Sequence, residues 1–200
     1  MGKHNTAKSP ATRRNDDSEK SCRTYILDGI WVRVCWNGLR KRIAGECSIW
    51  RYDNTGITSL HKLGKEFAAE IVRHETVNLI GFSLGGLVVR EALRLAPTAK
   101  VQRVVLINSP HRGTETARFL PFLPGCRDVM PGSAFLRRLD AAEWNYETLA
   151  IWCPGDLMVI PGWSAKFEKA TELLRCDVPA HAWPVVSKRH HDAIVRFLNG

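Results

Sequence analysis

Short apolar runs alternate with amphipathic segments along most of this chain. Runs of strand length lie at 24–27, 48–52, 77–80, 104–107, 148–153 and 173–178. Segments with apolar residues at helical spacing lie at 36–44, 60–71, 84–95 and 187–198. Strands that alternate with helices favour βαβ units, in which helices cover both faces of a mostly parallel sheet. We therefore expect an α/β fold with a single doubly wound sheet of about six strands.

One stretch, residues 113–147, departs from this alternation. It combines three prolines with apolar residues such as Phe119, Leu123 and Phe135. Placed over the carboxyl edge of the sheet, it would form a small lid or the wall of an acyl-binding pocket. Ordinary packing of a loop and a short helix explains the same composition, so both interpretations stay open.

The composition narrows the class of protein. Apolar residues make up 44% and charged residues 24% of the 200 positions, values typical of a soluble globular domain. No apolar run is long enough to cross a bilayer and no signal peptide is seen, so we expect a cytoplasmic protein. The six cysteines lack metal-ligand spacing, which favours reduced thiols and no metal site. The sequence alone does not exclude an internal bridge.

Part of the net charge of +9 comes from the N-terminal residues. Residues 1–23 hold six basic and three acidic side chains, lack hydrophobic periodicity and are expected to be a disordered arm. The remaining residues, 24–200, are expected to form one domain. A basic arm would contact an anionic surface weakly, but a solvated tail is the simpler explanation of this composition and the one we favour. No specific nucleic-acid partner is expected.

Residues 81–86 read GFSLGG and separate the strand at 77–80 from the helix at 84–95. A serine between a strand and a helix, with glycines on both sides, is typical of a nucleophile elbow. The turn lifts the hydroxyl clear of the sheet and places it near a helix N-terminus, where developing negative charge is favoured. The pattern G-x-S-x-G also occurs by chance, but its context here indicates that Ser83 is a nucleophile.

A serine nucleophile needs a base within hydrogen-bond reach and an acid that orients the base. On this fold the acid and then the histidine follow the serine in the chain. Asp156 is the first candidate for the acid, because it follows the strand at 148–153 in a Pro-Gly-Asp loop at the carboxyl edge. Three weaker candidates lie in the irregular segment or inside the last predicted strand: Asp128, Asp140 and Asp177.

His181 is the first candidate for the base, because it lies in the loop between the last predicted strand and the final helix. His191 is the second candidate, although its phase in the final helix places it at the edge of the core. Its neighbour His190 is expected to meet solvent. His111 breaks the required chain order, so we expect a structural role for it.

An ester-cleaving serine also needs two N–H donors for the oxyanion of its tetrahedral intermediate. One is expected to be the backbone N–H of Leu84, directly after the nucleophile. The other is expected from the loop after the first strand, where Gly29 permits a tight turn. The backbone N–H of Ile30 is then the expected second donor.

These segments together resemble the α/β-hydrolase superfamily, in its small triacylglycerol-lipase and esterase branch. The resemblance covers roughly residues 24–198 and rests on Asp28-Gly29, GFSLGG at 81–86, INSPHRG at 107–113, PGDLMVIP at 154–161 and the closing segment 177–198. It implies a minimal α/β-hydrolase fold that hydrolyses carboxylic esters through an acyl-enzyme, without a cofactor. It also implies a catalytic triad of Ser83, Asp156 and His181.

Two residues depart from that branch. Phe82 replaces the usual elbow histidine, and Asp28 replaces the usual histidine before the oxyanion loop, where an inward-pointing carboxylate would oppose the oxyanion. The same triad would also serve an acyltransferase, and a non-catalytic hydrolase-like binding module with a basic arm is a third interpretation. Four tryptophans near the site favour a small-molecule or lipid ester with an apolar acyl group as substrate, although tryptophans are also common core residues. They are Trp31, Trp152, Trp163 and Trp183.

Overall fold

The computed structural model describes residues 22–200. The arm predicted over residues 1–23 therefore lies outside the described residues, apart from Cys22 and Arg23. Arg23 is already the first residue of a strand. Among the helices that are described, none has the length and apolar character needed to cross a bilayer.

Within residues 22–200, six strands form one sheet, and every neighbouring pair of these strands is parallel. The strands are β1 (Arg23–Leu27), β2 (Cys47–Ile49), β3 (Val77–Phe82), β4 (Val101–Ile107), β5 (Thr148–Trp152) and β6 (Glu172–Arg175). Their spatial order is β2-β1-β3-β4-β5-β6. The direction of winding therefore reverses between β1 and β3, and in open α/β sheets such a switch point opens a crevice at the carboxyl edge.

Helices cover both faces of this sheet, as the sequence pattern predicts. They are α1 (Asn37–Arg40), α2 (Leu60–Ile71), α3 (Leu84–Leu95), α4 (Pro124–Asp128), α5 (Ala134–Ala141), α6 (Trp183–Val186) and α7 (Lys188–Asn199). Buried side chains of α2, α3, α4 and α5 form one hydrophobic cluster with the sheet. Buried side chains of α1, α6 and α7 form the second cluster on the opposite face. Because both faces of β3 and β5 are buried, the sequences of these two strands are largely apolar.

Three predicted elements are clearly shorter in the structure. The strand expected at 48–52 ends at Ile49. The helix expected at 36–44 ends at Arg40. The last strand ends at Arg175, so the prediction that Asp177 lies inside a strand is wrong. The Cys176 N–H makes a bond to the Trp152 carbonyl at 2.8 Å at this end of the strand, and Pro179 has no N–H with which the ladder could continue past Asp177.

The irregular segment 113–147 contains a 3₁₀ helix (Glu115–Phe119) followed by α4 and α5. Its second half supplies Phe135, Leu136 and Leu139 to the core on the α3 side. Its first half stays at the carboxyl edge of the sheet. The segment therefore combines ordinary packing with a position beside the predicted site.

Candidate active site

Ser83 lies between β3 and α3 with backbone angles of φ 53° and ψ −121°. This region is strained for a residue with a Cβ, and such strain is often found at functional sites. The Ser83 N–H donates to the Ile107 carbonyl at 2.8 Å, which continues the ladder to β4. A Cβ on Gly81 would collide with the backbone of Gly86, and one on Gly86 would collide with Ser109. Both glycines are thus required for the sharp turn.

Asp156 and His181 meet at the carboxyl edge of the sheet. Nδ1 of His181 donates to Oδ2 of Asp156 at 2.6 Å. The other oxygen, Oδ1, accepts from the backbone N–H groups of Met158 at 2.7 Å and Val159 at 3.0 Å. Backbone N–H groups of the loop that carries Asp156, here called the acid loop, therefore fix the carboxylate and leave Oδ2 directed at the imidazole.

The other aspartates that the sequence leaves as weaker candidates are bonded elsewhere. Asp128 accepts from the backbone N–H of Leu60 at 2.7 Å, at the start of α2. Asp140 lies 3.4 Å from the guanidinium of Arg90. Asp177 pairs with the exposed Arg175 at 2.7 Å. Of the four candidates, Asp156 is the one whose carboxylate is bonded to His181.

His181 is held on two further sides. The ring of Phe82 lies 4.9 Å from its imidazole, centroid to centroid, at an interplanar angle of 40°. Nδ2 of Asn108 donates to the His181 main-chain carbonyl at 2.7 Å. The residue that departs from the usual elbow sequence, Phe82, therefore supports the candidate base instead of competing with it.

Ser83 and His181 share this edge without a direct hydrogen bond. Oγ of Ser83 has no partner among residues 22–200. The Ser83 side chain is nevertheless accessible, because Ser83 lines an open cleft at the edge of the sheet. Hydrogen bonds of this kind are often long or unformed before substrate binds.

The loop after β1 lies directly against Ser83. A Cβ on Gly29 would lie 2.9 Å from the Cβ of Ser83. Ile30 and Leu84 both line the same cleft as Ser83. Their backbone N–H groups donate to no group in the described part of the chain, whereas the N–H of Trp31 donates to the Asn54 carbonyl at 3.0 Å. Two unused N–H donors thus flank the cleft beside the serine.

Residues 52–55 hold this loop in place. Nδ2 of Asn54 donates to the carbonyls of Gly29 at 2.8 Å and Val32 at 3.1 Å. The Tyr52 hydroxyl donates to the Asp28 carbonyl. Trp31 adopts a positive φ of 53°, and its indole donates to the carbonyl of Thr55. The backbone of the loop is therefore fixed before substrate arrives.

The Asp28 carboxylate does not line the cleft. Its Oδ1 accepts from the indole of Trp36 at 2.6 Å and from the backbone N–H of Val34 at 3.3 Å. Trp36 belongs to the hydrophobic cluster on the α7 side of the sheet. The charge that would oppose an oxyanion if it pointed inward is therefore bonded within its own loop.

The cleft is open to solvent at its mouth, and its lining is mainly apolar. Segment 113–147 supplies six of its thirteen lining residues, namely Thr114, Thr116, Ala117, Leu120, Cys126 and Val129. The hydroxyls of Thr114 and Thr116 donate to the carbonyl of Met158, at 3.1 and 2.8 Å. The wall of the cleft is thereby tied to the acid loop.

Cys126 is a second nucleophile type in this cleft. Burial raises the pKa of its thiol, which keeps the sulfur protonated and weakly nucleophilic. No hydrogen bond joins the thiol to a base in the part of the chain that the structure describes. Ser83, beside the His181–Asp156 pair, is the better-placed nucleophile.

The three other histidines weighed against His181 are buried. His111 packs its ring 4.6 Å from that of Phe167, as expected for a structural residue. His191 reaches the Val185 carbonyl with Nε2 at 2.6 Å, at the edge of the core. His190 was expected in solvent, and this is wrong, because it is 4% exposed. Helical phase alone did not account for α6, which folds against the first turn of α7.

Three residues that hold the site were missed from the sequence. Asn108 follows a buried strand directly, and an amide at that place is a signal that could have been noticed. Asn54 and Tyr52 act across 22 to 25 residues of chain, a pairing that no local pattern reveals.

A family model described as palmitoyl protein thioesterase matches residues 54–148, slightly less than half of the chain. A comparison with curated protein sequences gave no match. Lipase B of Aspergillus fumigatus has a similar structure, with a TM-score of 0.72 at 14% identity. The similarity covers 96% of this chain and 55% of that one, so the chain spans about half the length of that lipase.

Two shorter proteins are also similar. A monoacylglycerol lipase of Paleococcus ferrophilus has a TM-score of 0.65 at 17% identity, with 88% of this chain and 93% of that one covered. A thioesterase from the prodiginine biosynthetic pathway of Streptomyces coelicolor has a TM-score of 0.53 at 16% identity, with 97% and 95% covered. Identities this low establish a shared fold, while the chemistry has to be argued from the residues.

Proposed function

We propose that this chain, which has the α/β-hydrolase fold, hydrolyses carboxylic esters with Ser83 as its nucleophile. The observation that carries the proposal is the 2.6 Å bond between His181 and Asp156 at the edge where the strained Ser83 lies. The free N–H groups of Ile30 and Leu84 beside Ser83 support it. Fold and family similarity to lipases, esterases and thioesterases support ester cleavage in general.

In the first half of the reaction, Oγ of Ser83 attacks the carbonyl carbon while Nε2 of His181 takes the hydroxyl proton. Asp156 holds the proton on Nδ1, so the lone pair of Nε2 is available, and it stabilises the imidazolium that forms. The carbonyl oxygen becomes an oxyanion and accepts from the N–H groups of Ile30 and Leu84. Collapse of this intermediate breaks the ester bond, and His181 returns the proton to the leaving alcohol.

In the second half, water attacks the acyl group on Ser83. His181 takes a proton from the water and then gives it to Oγ of Ser83, which leaves as the serine hydroxyl. The products are a carboxylic acid, an alcohol and the free enzyme. No cofactor takes part in either half.

The acyl group is proposed to occupy the cleft beside Ser83. The lining of the cleft is mostly apolar, so it matches a hydrocarbon chain better than a charged or strongly polar group. A thioester is the second candidate substrate, favoured by the match to the thioesterase family model over residues 54–148. The same attack and the same oxyanion serve both substrates, since the leaving group alone differs.

The test is hydrolysis of p-nitrophenyl esters and acyl thioesters of increasing acyl length, with wild type beside Ser83→Ala. We expect Ser83→Ala to lose several orders of magnitude in kcat/KM. Ser187→Ala is the matched control, because Ser187 precedes α7 and its side chain makes no capping bond. Equal turnover by wild type and Ser83→Ala would overturn the serine mechanism.

Two further measurements separate the other interpretations of this fold, acyl transfer and non-catalytic binding. Product analysis with alcohol or amine acceptors present distinguishes hydrolysis from acyl transfer. A wild-type protein that turns over no ester or thioester, and yet binds anionic vesicles in a salt-dependent way, would instead favour a binding module.

A further inference from the structure

The two residues at the end of β4 contact both neighbouring strands of the site. The Ile107 carbonyl accepts from the Ser83 N–H at 2.8 Å. The Asn108 N–H donates to the carbonyl of Ile151 at 2.8 Å, on the strand that leads to Asp156. The backbone of this dipeptide therefore sets the distance between the strand that carries the nucleophile and the strand that carries the acid.

The side chain of Asn108 makes the third connection. Its Nδ2 donates to the main-chain carbonyl of His181 at 2.7 Å, across 73 residues of chain. His181 lies beyond the end of β6, so no ladder hydrogen bond fixes its backbone. The amide bond takes the place of a ladder bond at this point.

The conformation of Asn108 is unusual for a buried strand end. Its φ is 45°, a region that non-glycine residues seldom adopt and that asparagine tolerates better than most. It is fully buried, and its Oδ1 has no hydrogen-bond partner in the described part of the chain. An unsatisfied buried acceptor and a strained backbone both destabilise the fold. Packing alone therefore does not explain why an asparagine stands here.

We propose that Asn108 is a positioning residue for His181 in the reaction proposed above, on which this inference rests. The imidazole is restrained at Nδ1 by Asp156 and on one face by Phe82, while Asn108 restrains the main chain from which the ring projects. Together these contacts fix the orientation of the imidazole, which in the proposed reaction must present Nε2 to Ser83. Since Asn108 bonds the carbonyl and not the ring, it acts through His181 and touches no reacting atom.

The experiment compares wild type with Asn108→Gly, which removes the amide and still adopts a positive φ without strain. We expect kcat to fall by about 10–100-fold, because a shift of about 1 Å in a catalytic group has an effect of this size. KM should change by less than about twofold, because the substrate cleft is intact.

Asn78→Gly is the matched control. Asn78 is also a buried strand asparagine with an unpartnered Oδ1, but it lies near the amino end of β3, paired in register with Thr24 and Arg103. Its loss should lower stability without lowering kcat per folded molecule. If Asn108→Gly fails to fold, Asn108→Asp is the second variant. It keeps the side-chain shape and replaces the Nδ2 donor with a carboxylate oxygen, and the same fall in kcat is expected.

A second measurement separates this inference from the proposed function. The proton between His181 and Asp156 is expected to give a downfield resonance in the proton NMR spectrum, and this readout does not depend on ester turnover. We expect it to broaden through solvent exchange in Asn108→Gly and to persist in Asn78→Gly. Unchanged kcat and an unchanged resonance in Asn108→Gly would overturn the inference. A lost resonance with no wild-type turnover would overturn the proposed function alone.

Discussion

At Ser83, the space on the side of the oxyanion loop is available because Gly29 has no side chain. A methyl group there would lie 2.9 Å from the Cβ of Ser83 and 3.4 Å from the ring of Phe82. Gly29→Ala must therefore move the nucleophile or the loop that carries Ile30. We expect kcat for ester hydrolysis to fall by about tenfold or more, since misplacement of reacting groups is costly.

Gly38→Ala is the control for this substitution. Gly38 lies in α1, and an added Cβ would meet only the ring of His191, at 3.4 Å. It should leave kcat unchanged while changing thermal stability slightly. Equal kcat for Gly29→Ala and wild type would show that the loop adapts to the methyl group. It would also contradict the proposal that the loop holds the Ile30 N–H in a fixed position as an oxyanion donor.

Single residues differed in how far the sequence could identify them. Chain order and position after a strand led to Asp156 and His181, and the structure joins the two by a hydrogen bond. Their catalytic roles stay a proposal. Asn54 could not be found in this way, because it bonds carbonyl groups of a distant loop and any amide of the right length fits. The one sequence signal for Asn108 is its place directly after a buried strand. His190 was misassigned because helix phase reports one face and not what covers it.

Among the elements, the 3₁₀ helix Glu115–Phe119 has the clearest expected effect on substrate choice. Ala117 lies in this helix, is buried and lines the cleft beside Ser83. Ala117→Leu fills part of the space proposed for the acyl chain. We expect kcat/KM for long acyl esters to fall by at least about tenfold, while short acyl esters lose little.

Ala141→Leu is the matched control, because Ala141 is exposed at the end of α5. Its profile of activity against acyl length should equal that of wild type. Thermal unfolding of both variants checks that crowding in the cleft has not destabilised the whole domain. A uniform loss across all acyl lengths in Ala117→Leu would place the acyl chain elsewhere.

The elements that could be predicted are those with many residues of one pattern. β3, α3 and β4 are long and almost wholly apolar on their buried sides, so the βαβ unit around Ser83 was expected and is confirmed. Four-residue helices such as α1 and α6 hold too few turns for a periodicity to be recognised. Segment 113–147 remained ambiguous, because apolar residues serve equally for a core and for the wall of a cleft.

For the whole molecule, buried histidines make the folded state sensitive to acid. Burial, and then the charge of Arg90, lower the pKa of His111 well below its ordinary value. Burial, followed by the charges of Arg189 and His191, also lowers the pKa of His190. The unfolded chain binds these protons near pH 6.5, whereas the folded chain does not. The stability that these neutral histidines contribute is therefore fully present above about pH 6.5, and it is lost as the pH drops below that value.

We expect each such histidine to contribute a slope of at most about 1.4 kcal/mol per pH unit below pH 6.5. His111→Gln should lower the slope of the unfolding free energy against pH by the contribution of one histidine. His190→Gln should remove a further part. Urea unfolding at several pH values measures this slope, which is independent of any constant loss of stability in the variants. A slope unchanged by His111→Gln would show that other groups cause the acid sensitivity.

The strand order has a consequence for how activity arises during synthesis. The chain up to Trp152 contains five of the six strands, together with the elbow and both N–H donors, but neither member of the His181–Asp156 pair. Domains fold as units, and a nascent chain that lacks its last part leaves its apolar surfaces uncovered. Under the proposed mechanism, a ribosome-bound chain has no proton acceptor until residue 181 has emerged. By that mechanism hydrolysis begins only after residue 181 has been made, and chains truncated before it are expected to be inert toward acyl esters.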